Sequence, residues 1–231
     1  MMSRTSPLGP YKTPMEDRVS TTSVRRGVFG PGHGSVFNVG DDYYFAFLEF
    51  SRNSTNRQTY VNRLEFNADG TIRPVEVTLD GVGAIGEKTS DRQSIKVRAA
   101  SASSVAPAHA IRYFNDDRCQ RTEQFLPLFA FDDANGSRWM AAEGDTDAWL
   151  IADLGKETAI TESELCFVRP TQGHAYELDG SIDGIRWQSC GGHADIRRQS
   201  PHIDAVNQSF RFLRVRITHG IPGIWEWRIY E

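Results

Sequence analysis

The sequence has no apolar run approaching the about eighteen residues that a membrane-spanning helix requires, and its first residues, MMSRTSPLGPYKTP, hold no apolar segment of the kind that directs export. As it stands the chain reads as soluble, with the cytoplasm as its compartment. Cysteine is scarce: Cys119, Cys166 and Cys190 form no CxxC or CxxH pair, which argues against a disulfide framework and against cysteine-based metal spacing. Cys166, in the alternating SELCFV, belongs in a core, and Cys190, just before Gly191 and Gly192, belongs at the surface. Charge of one sign is lacking as well, with 26 Lys and Arg against 30 Asp and Glu and a net charge of −4, so no basic excess marks a nucleic-acid binder. Helical periodicity is missing too, since no stretch longer than about ten residues keeps it.

What is present is strand pattern. In the first third, period-two or continuous apolar runs predict four strands, at 34–39, 43–50, 58–66 and 72–79, joined by FNVGDDYY, SRNSTNRQ and NADGTIRP. Four antiparallel strands in sequence make a meander, and such a sheet is also one blade of a propeller. Alone it would leave an apolar face and two edges uncovered, so it needs something to pack against. Apolar content falls between Asp80 and Gln93, where a boundary is placed, giving domains at 1–86 and 87–231. Strand patterns resume at 94–99, 149–153, 159–167, 176–181, 210–218 and 225–230, a distribution that points to a β-sandwich. Residues 106–129 read as a long irregular connection with room for a helical turn, and loops of that length are often functional.

Residues Ser6 to Val82 resemble the end of the five-bladed propeller of glycoside hydrolase family 43, with SPLGPYKTP like the exit of the fourth blade and GPGHGSVF, YYFAFLEF and NRQTYVNRLEFNADGTIRPV like the fifth. The resemblance implies that His33 sits at the mouth of the central channel, near the pocket floor and its metal ion or water. Arg57, in STNRQ, reads as a loop residue whose guanidinium could meet sugar hydroxyls. The three carboxylates that the family uses come from earlier blades. Asp41 and Asp42 lie in a hairpin turn, and Glu49 and Glu65 fall on strands where acids usually face solvent, so no catalytic residue is assigned. The expectation is that this polypeptide alone does not hydrolyse glycosides.

From about Ser94 onward the chain resembles the discoidin, or coagulation factor 5/8 type C, domain, the jelly-roll sandwich that also includes family 32 carbohydrate-binding modules. The segments are FDDANGSRWMAA, WLIADLG, YELDGSIDGIRWQSC, FRFLRVRITHG and IWEWRIYE. The resemblance makes Trp139, Trp149 and Trp187 core aromatics rather than sugar platforms. It also implies a structural calcium ion held by Asp132, Asn135, Ser137 and Glu226, hard oxygen donors that suit Ca²⁺. Asp133 departs from the family's usual glycine after the first aspartate. Ligand contacts in the family come from loops at one end of the sandwich, which here nominates Arg112, Tyr113, His174 and Trp225.

The expected architecture is thus all-β, a four-stranded antiparallel propeller-blade-like sheet followed by a discoidin-like jelly roll. The expected function is carbohydrate recognition as part of a family 43-type glycosidase, with arabinose, xylose or galactose units as ligands. One alternative is a subunit or fragment of an active hydrolase whose remaining blades come from another chain; the other is an oligomerisation module, because a lone blade leaves faces that favour association.

Overall fold

The computed structural model describes residues 20–21, 28, 32–50, 57–79, 81–82, 85, 94–112, 120–134 and 136–231. The SPLGPYKTP segment, most of the 80–93 boundary region, Tyr113, Cys119 and Asn135 lie outside them. Two compact units are present, Met1–Phe50 with Arg57–Thr89 and, separately, Ser90–Glu231.

The first unit is built on a three-stranded antiparallel sheet of β2 (Gly32–Val39), β3 (Asp42–Phe50) and β4 (Arg57–Leu64), in sequence order. The fourth strand expected at 72–79 does not form. Phe66 and Ile72 make one antiparallel bridge, and β5 (Val75–Glu76) pairs in parallel with β1 (Ser20–Thr21). Pro74 removes a backbone donor where the ladder would continue. The segment is held by the Asn62 side chain, which donates to Thr78 Oγ1 at 3.1 Å and accepts from the Thr78 amide at 2.9 Å. Val28, Phe47, Leu64, Val75 and Val77 form the core of this unit. Strand β2 lies at the sheet edge with His33–Val39 all exposed.

The second unit is a discoidin-like β-sandwich in which two long strands serve both layers. One layer runs β6 (Ala99–Ala102), the first half of β10 (Trp149–Phe167), the second half of β13 (His202–His219), β11 (His174–Ser181) and β12 (Gln188–Arg197). The other runs β9 (Trp139–Met140), β14 (Gly223–Tyr230), the second half of β10 and the first half of β13. The β10–β13 ladder passes through the corner with two register shifts, where Gly155 (φ +82°) and Asn207 (φ +50°) take left-handed backbone.

Residues 94–98, expected as a strand, cross between layers instead: Ile95 N–H donates to Ile229 O and Arg98 N–H to Asp153 O, so neither ladder extends. The 106–129 connection contains a hairpin, β7 (His109–Arg112) and β8 (Gln120–Glu123), and a 3₁₀ turn at Pro127–Ala130. The DG turn in SIDGIRW announces a strand after it, and β12 follows at Gln188; its residues are mostly exposed and no apolar face alternates, so its extent carried no signal.

Alternation sets the core. Leu150, Ala152, Leu213 and Val215 point inward and are fully buried, beside Trp139, Trp227, Tyr176 and Phe167. Each such large side chain contributes about 1.5–3 kcal/mol by leaving water. Trp227 Nε1–H donates to the buried Ser163 Oγ at 2.9 Å and Trp139 Nε1–H to Ser104 O at 3.1 Å, so neither indole strands its polar edge. Trp149 and Trp187 correct the core expectation. Trp149 is half-buried because Leu150 takes the inward position, and Trp187 is half-buried under the Arg214 guanidinium, 4.4 Å from its ring. Cys190, expected at the surface, is half-buried against the core, and burial pushes its thiol up to about 12. Glu49, expected to face solvent, is 3% exposed and accepts from the Phe50 amide.

Candidate functional site

Trp225 is the extra residue of a β-bulge: Cys166 pairs with Glu226 and Phe167 with Ile224, leaving Trp225 unpaired and turned away from the core. Its half-buried ring meets Arg138, whose guanidinium lies 4.7 Å from the Trp225 centroid and 4.8 Å from that of Phe125. Arg138 Nη1 donates to Glu123 Oε1 at 2.8 Å, and His109 Nε2 lies 3.1 Å from Glu123 Oε2. Glu123 is nearly buried, its side chain 5% exposed, so the carboxylate fixes the guanidinium against both rings. The cluster joins aromatic faces to an oriented charged pair, the combination that stacks on a sugar ring and hydrogen-bonds its hydroxyls.

Of these residues the sequence nominated only Trp225. Arg138 was missed although a signal existed, since Trp139 beside it is inward and a strand neighbour must point out. Arg112 closes the β7–β8 ladder opposite Gln120, which places its backbone on the hairpin that carries His109 and Glu123.

The other nominated residues go elsewhere. His174, expected on a ligand loop, is fully buried: it stacks on Phe167 at 4.4 Å, and its Nε2 lies 3.2 Å from Ile221 O. It starts β11, and the strand alternation turns it inward. Arg57 is not in a loop but opens β4 opposite Phe50, with its guanidinium 5.5 Å from that ring. His33 is exposed at φ +54° in a register shift between Gly32 and Ser35. Gly34 beside it leaves room for the Phe45 ring, which a Cβ there would meet at 2.5 Å.

Around FDDANGSRW, Asp132 accepts from Ala134 N at 3.1 Å and from Ser137 Oγ at 2.6 Å. Asp133 adopts φ +54°, so this turn takes left-handed backbone without a glycine. Glu226, on β14, is 3% exposed; its Oε2 is buried without a partner, and burial pushes its carboxyl up to about 8, with Arg228 opposing and Asp133 and Asp132 adding. Burial also raises Asp132. An orphaned carboxylate oxygen among hard oxygen donors fits a calcium ion. Among the described residues no group of three or more His, Cys, Asp or Glu is set to hold a metal, so such an ion would rely on hydroxyl and backbone oxygens too.

Residues 99–229, more than half the chain, match the F5/8 type C domain. The chain belongs to the F5/8 type C domain family. The chain also has glycoside hydrolase relatives. A solved structure described as a glycoside hydrolase superposes with a TM-score of 0.86 at 54% identity, covering 99% of this chain and 52% of its own. A curated relative, beta-D-galactofuranosidase xynD of Aspergillus niger, is 38% identical over 82 residues, 33% of this chain and 23% of that protein. Chitosan-binding module 1 from the chitosanase/glucanase of Paenibacillus sp. IK-5 gives a TM-score of 0.48 at 21% identity over 60% of this chain and 99% of its own. The chain thus spans about half of the glycoside hydrolase and about a quarter of the galactofuranosidase.

Proposed function

We propose that this chain is the carbohydrate-recognition portion of a family 43-type glycosidase, with the F5/8 type C unit binding glycan and the first unit forming part of the catalytic propeller. The observation that carries the reading is the 54% identity to a glycoside hydrolase over 99% of this chain, which is only 52% of that protein. Glycan binds at the Trp225–Arg138–Phe125 cluster, with Arg112 and Tyr113 as further contacts, while His33 and Arg57 face the propeller's substrate. The galactofuranosidase relative favours furanosides, galactose or arabinose, ahead of xylose. Calcium held by Asp132, Asn135, Ser137 and Glu226 braces the turn beneath the site.

No catalytic acid is assigned within the chain. Asp42 is ion-paired with Arg63 at 3.0 Å and Glu65 with Arg73 at 2.8 Å. Binding of galactofuranose- and arabinofuranose-containing oligosaccharides, followed by calorimetry with calcium and with chelator, tests the reading. Binding to one glycan class, lost in Trp225→Ala, supports it, and no binding across both classes overturns it.

The coverage of the two relatives favours a second reading, in which the chain works as one piece of an active hydrolase. Turnover of aryl furanosides only after an upstream chain is supplied would select it. Exposed Val36, Phe37, Val39, Tyr43 and Phe66 on the first unit offer that chain, or a second copy, an apolar surface. Purified protein is therefore expected to associate at micromolar concentration, and a monomer by light scattering contradicts this.

A further inference from the structure

Four of the chain's six histidines gather where β11, β12 and β13 meet. His174 and His202 are both fully buried, with ring centroids 6.3 Å apart and Phe167 against each. His193 stacks on His202 at 5.1 Å, and its Nε2 lies 2.9 Å from His202 Nδ1. His219 ends β13 and acts on His174 through its charge.

Proton positions follow from the acceptors. Asp195 O can only accept, so His193 Nδ1, 2.7 Å away, carries its hydrogen, and His193 Nε2 accepts from His202 Nδ1–H. That leaves His202 Nε2 bare and without a partner. Ile221 O likewise claims the His174 Nε2 hydrogen, leaving His174 Nδ1 bare and unpartnered. The relay is complete only with neutral imidazoles. An added proton must sit on a buried nitrogen with no acceptor, or break the His193–His202 bond.

The surrounding charges do not rescue that proton. From β12, His193 and Arg197 oppose it; from β11, His174 opposes it and Tyr176 is neutral; β10 presents Phe167. Asp204 on β13 is the favourable charge, and its oxygens already accept from Tyr176 OH and the Gly192 amide. Burial accordingly drives His202 down to about 4, and His174 down as well.

The element that gives way is identifiable. Strand β12 is the sheet edge: its backbone ladder runs to β11, and Gln188, Gly192 and His193 tie it to β13 through side-chain hydrogen bonds. Its ladder is broken by two register shifts, the larger opposing Ala175 to Ala194–Ile196, and most of its side chains are exposed. Few apolar contacts and one interrupted ladder are the marks of a segment that opens locally. The His193–His202 bond ties this strand to the start of β13.

We propose that the histidine cluster is an acid-sensitive latch, in which protonation of the buried imidazoles releases edge strand β12 while the rest of the sandwich stays folded. The groove of about 560 Å³ between β12 and the β11–β13 pair, lined by Tyr176, Gly192, His193, Ile196 and His219, opens with it. Imidazoles with a depressed folded pKa leave the fold intact above the unfolded value of about 6.5 and weaken the docked state as pH falls from there toward 4.

Hydrogen exchange on the whole chain between pH 7 and pH 4.5, corrected for intrinsic exchange, tests the latch. Protection in 192–197 should fall up to about 60-fold for one histidine, while 213–217 keeps its protection. His202→Gln, which cannot take up the charge, should cut the 192–197 response by about tenfold or more. If that variant does not fold, the wild-type pattern alone decides. Constant protection in 192–197, or an equal fall throughout the sandwich, overturns the proposal.

Discussion

Single side chains in the second unit carry constraints that their type alone does not reveal. Arg138 looks like a surface arginine, yet it is wedged against Phe125 and Trp225 and neutralises the buried Glu123. Removing one partner of a buried pair costs about 3 kcal/mol. Arg138→Ala should therefore lower the unfolding free energy from urea titration by that amount and abolish any glycan binding, whereas Arg138→Lys should keep the charge and lose the two-ring contact. Glu226 makes the complementary case. Its partnerless oxygen is a liability without a cation and a ligand with one, so wild type should gain melting temperature with calcium, and Glu226→Gln should raise it in chelator and show no gain with calcium. A wild-type melting temperature indifferent to calcium would refute the site. The family resemblance foretold the buried Trp139. It misassigned His174 and Trp149, since a one-residue shift in register exchanges inside for outside and the sequence contains no record of register.

Strands were legible in proportion to how asymmetric their two faces are. Strands β3, β11 and β14 alternate or run apolar and were recognised, whereas β12 has no inward face to betray its extent. The missing fourth strand of the first unit has a similar cause: its run looked extended, but Asn62 supplies through a side chain what a neighbour's backbone would supply in a ladder. Asn62→Leu should lose both bonds to Thr78 and destabilise the first unit by about 1–3 kcal/mol, seen as an earlier unfolding step with the sandwich unaffected. Within β12 the backbone itself is fixed by Gly192, at φ +92°, where a Cβ would fall 2.3 Å from Tyr176 O. Gly192→Ala should raise exchange across 192–197 at every pH, separating loss of docking from the histidine response.

For the molecule as a whole, the described residues form two cores of unequal size, five buried residues in one and twenty in the other. Calorimetry should resolve two transitions, the smaller core melting first, with calcium shifting only the later one. A single calcium-shifted transition would mean that the units unfold together. The division into a β-meander and a sandwich could be read from turn chemistry and strand spacing, but the way β10 and β13 stitch two layers could not, because the corner depends on left-handed backbone at Gly155 and Asn207. One further feature concerns the ends of the sandwich. Ser94 is bridged to Tyr230 and Ile95 hydrogen-bonds to Ile229, so the polypeptide begins and finishes this unit at the same spot. A piece with adjoining ends can be spliced into a surface loop of an unrelated host without prising that loop apart, which makes residues 94–231 a natural cassette for transplantation.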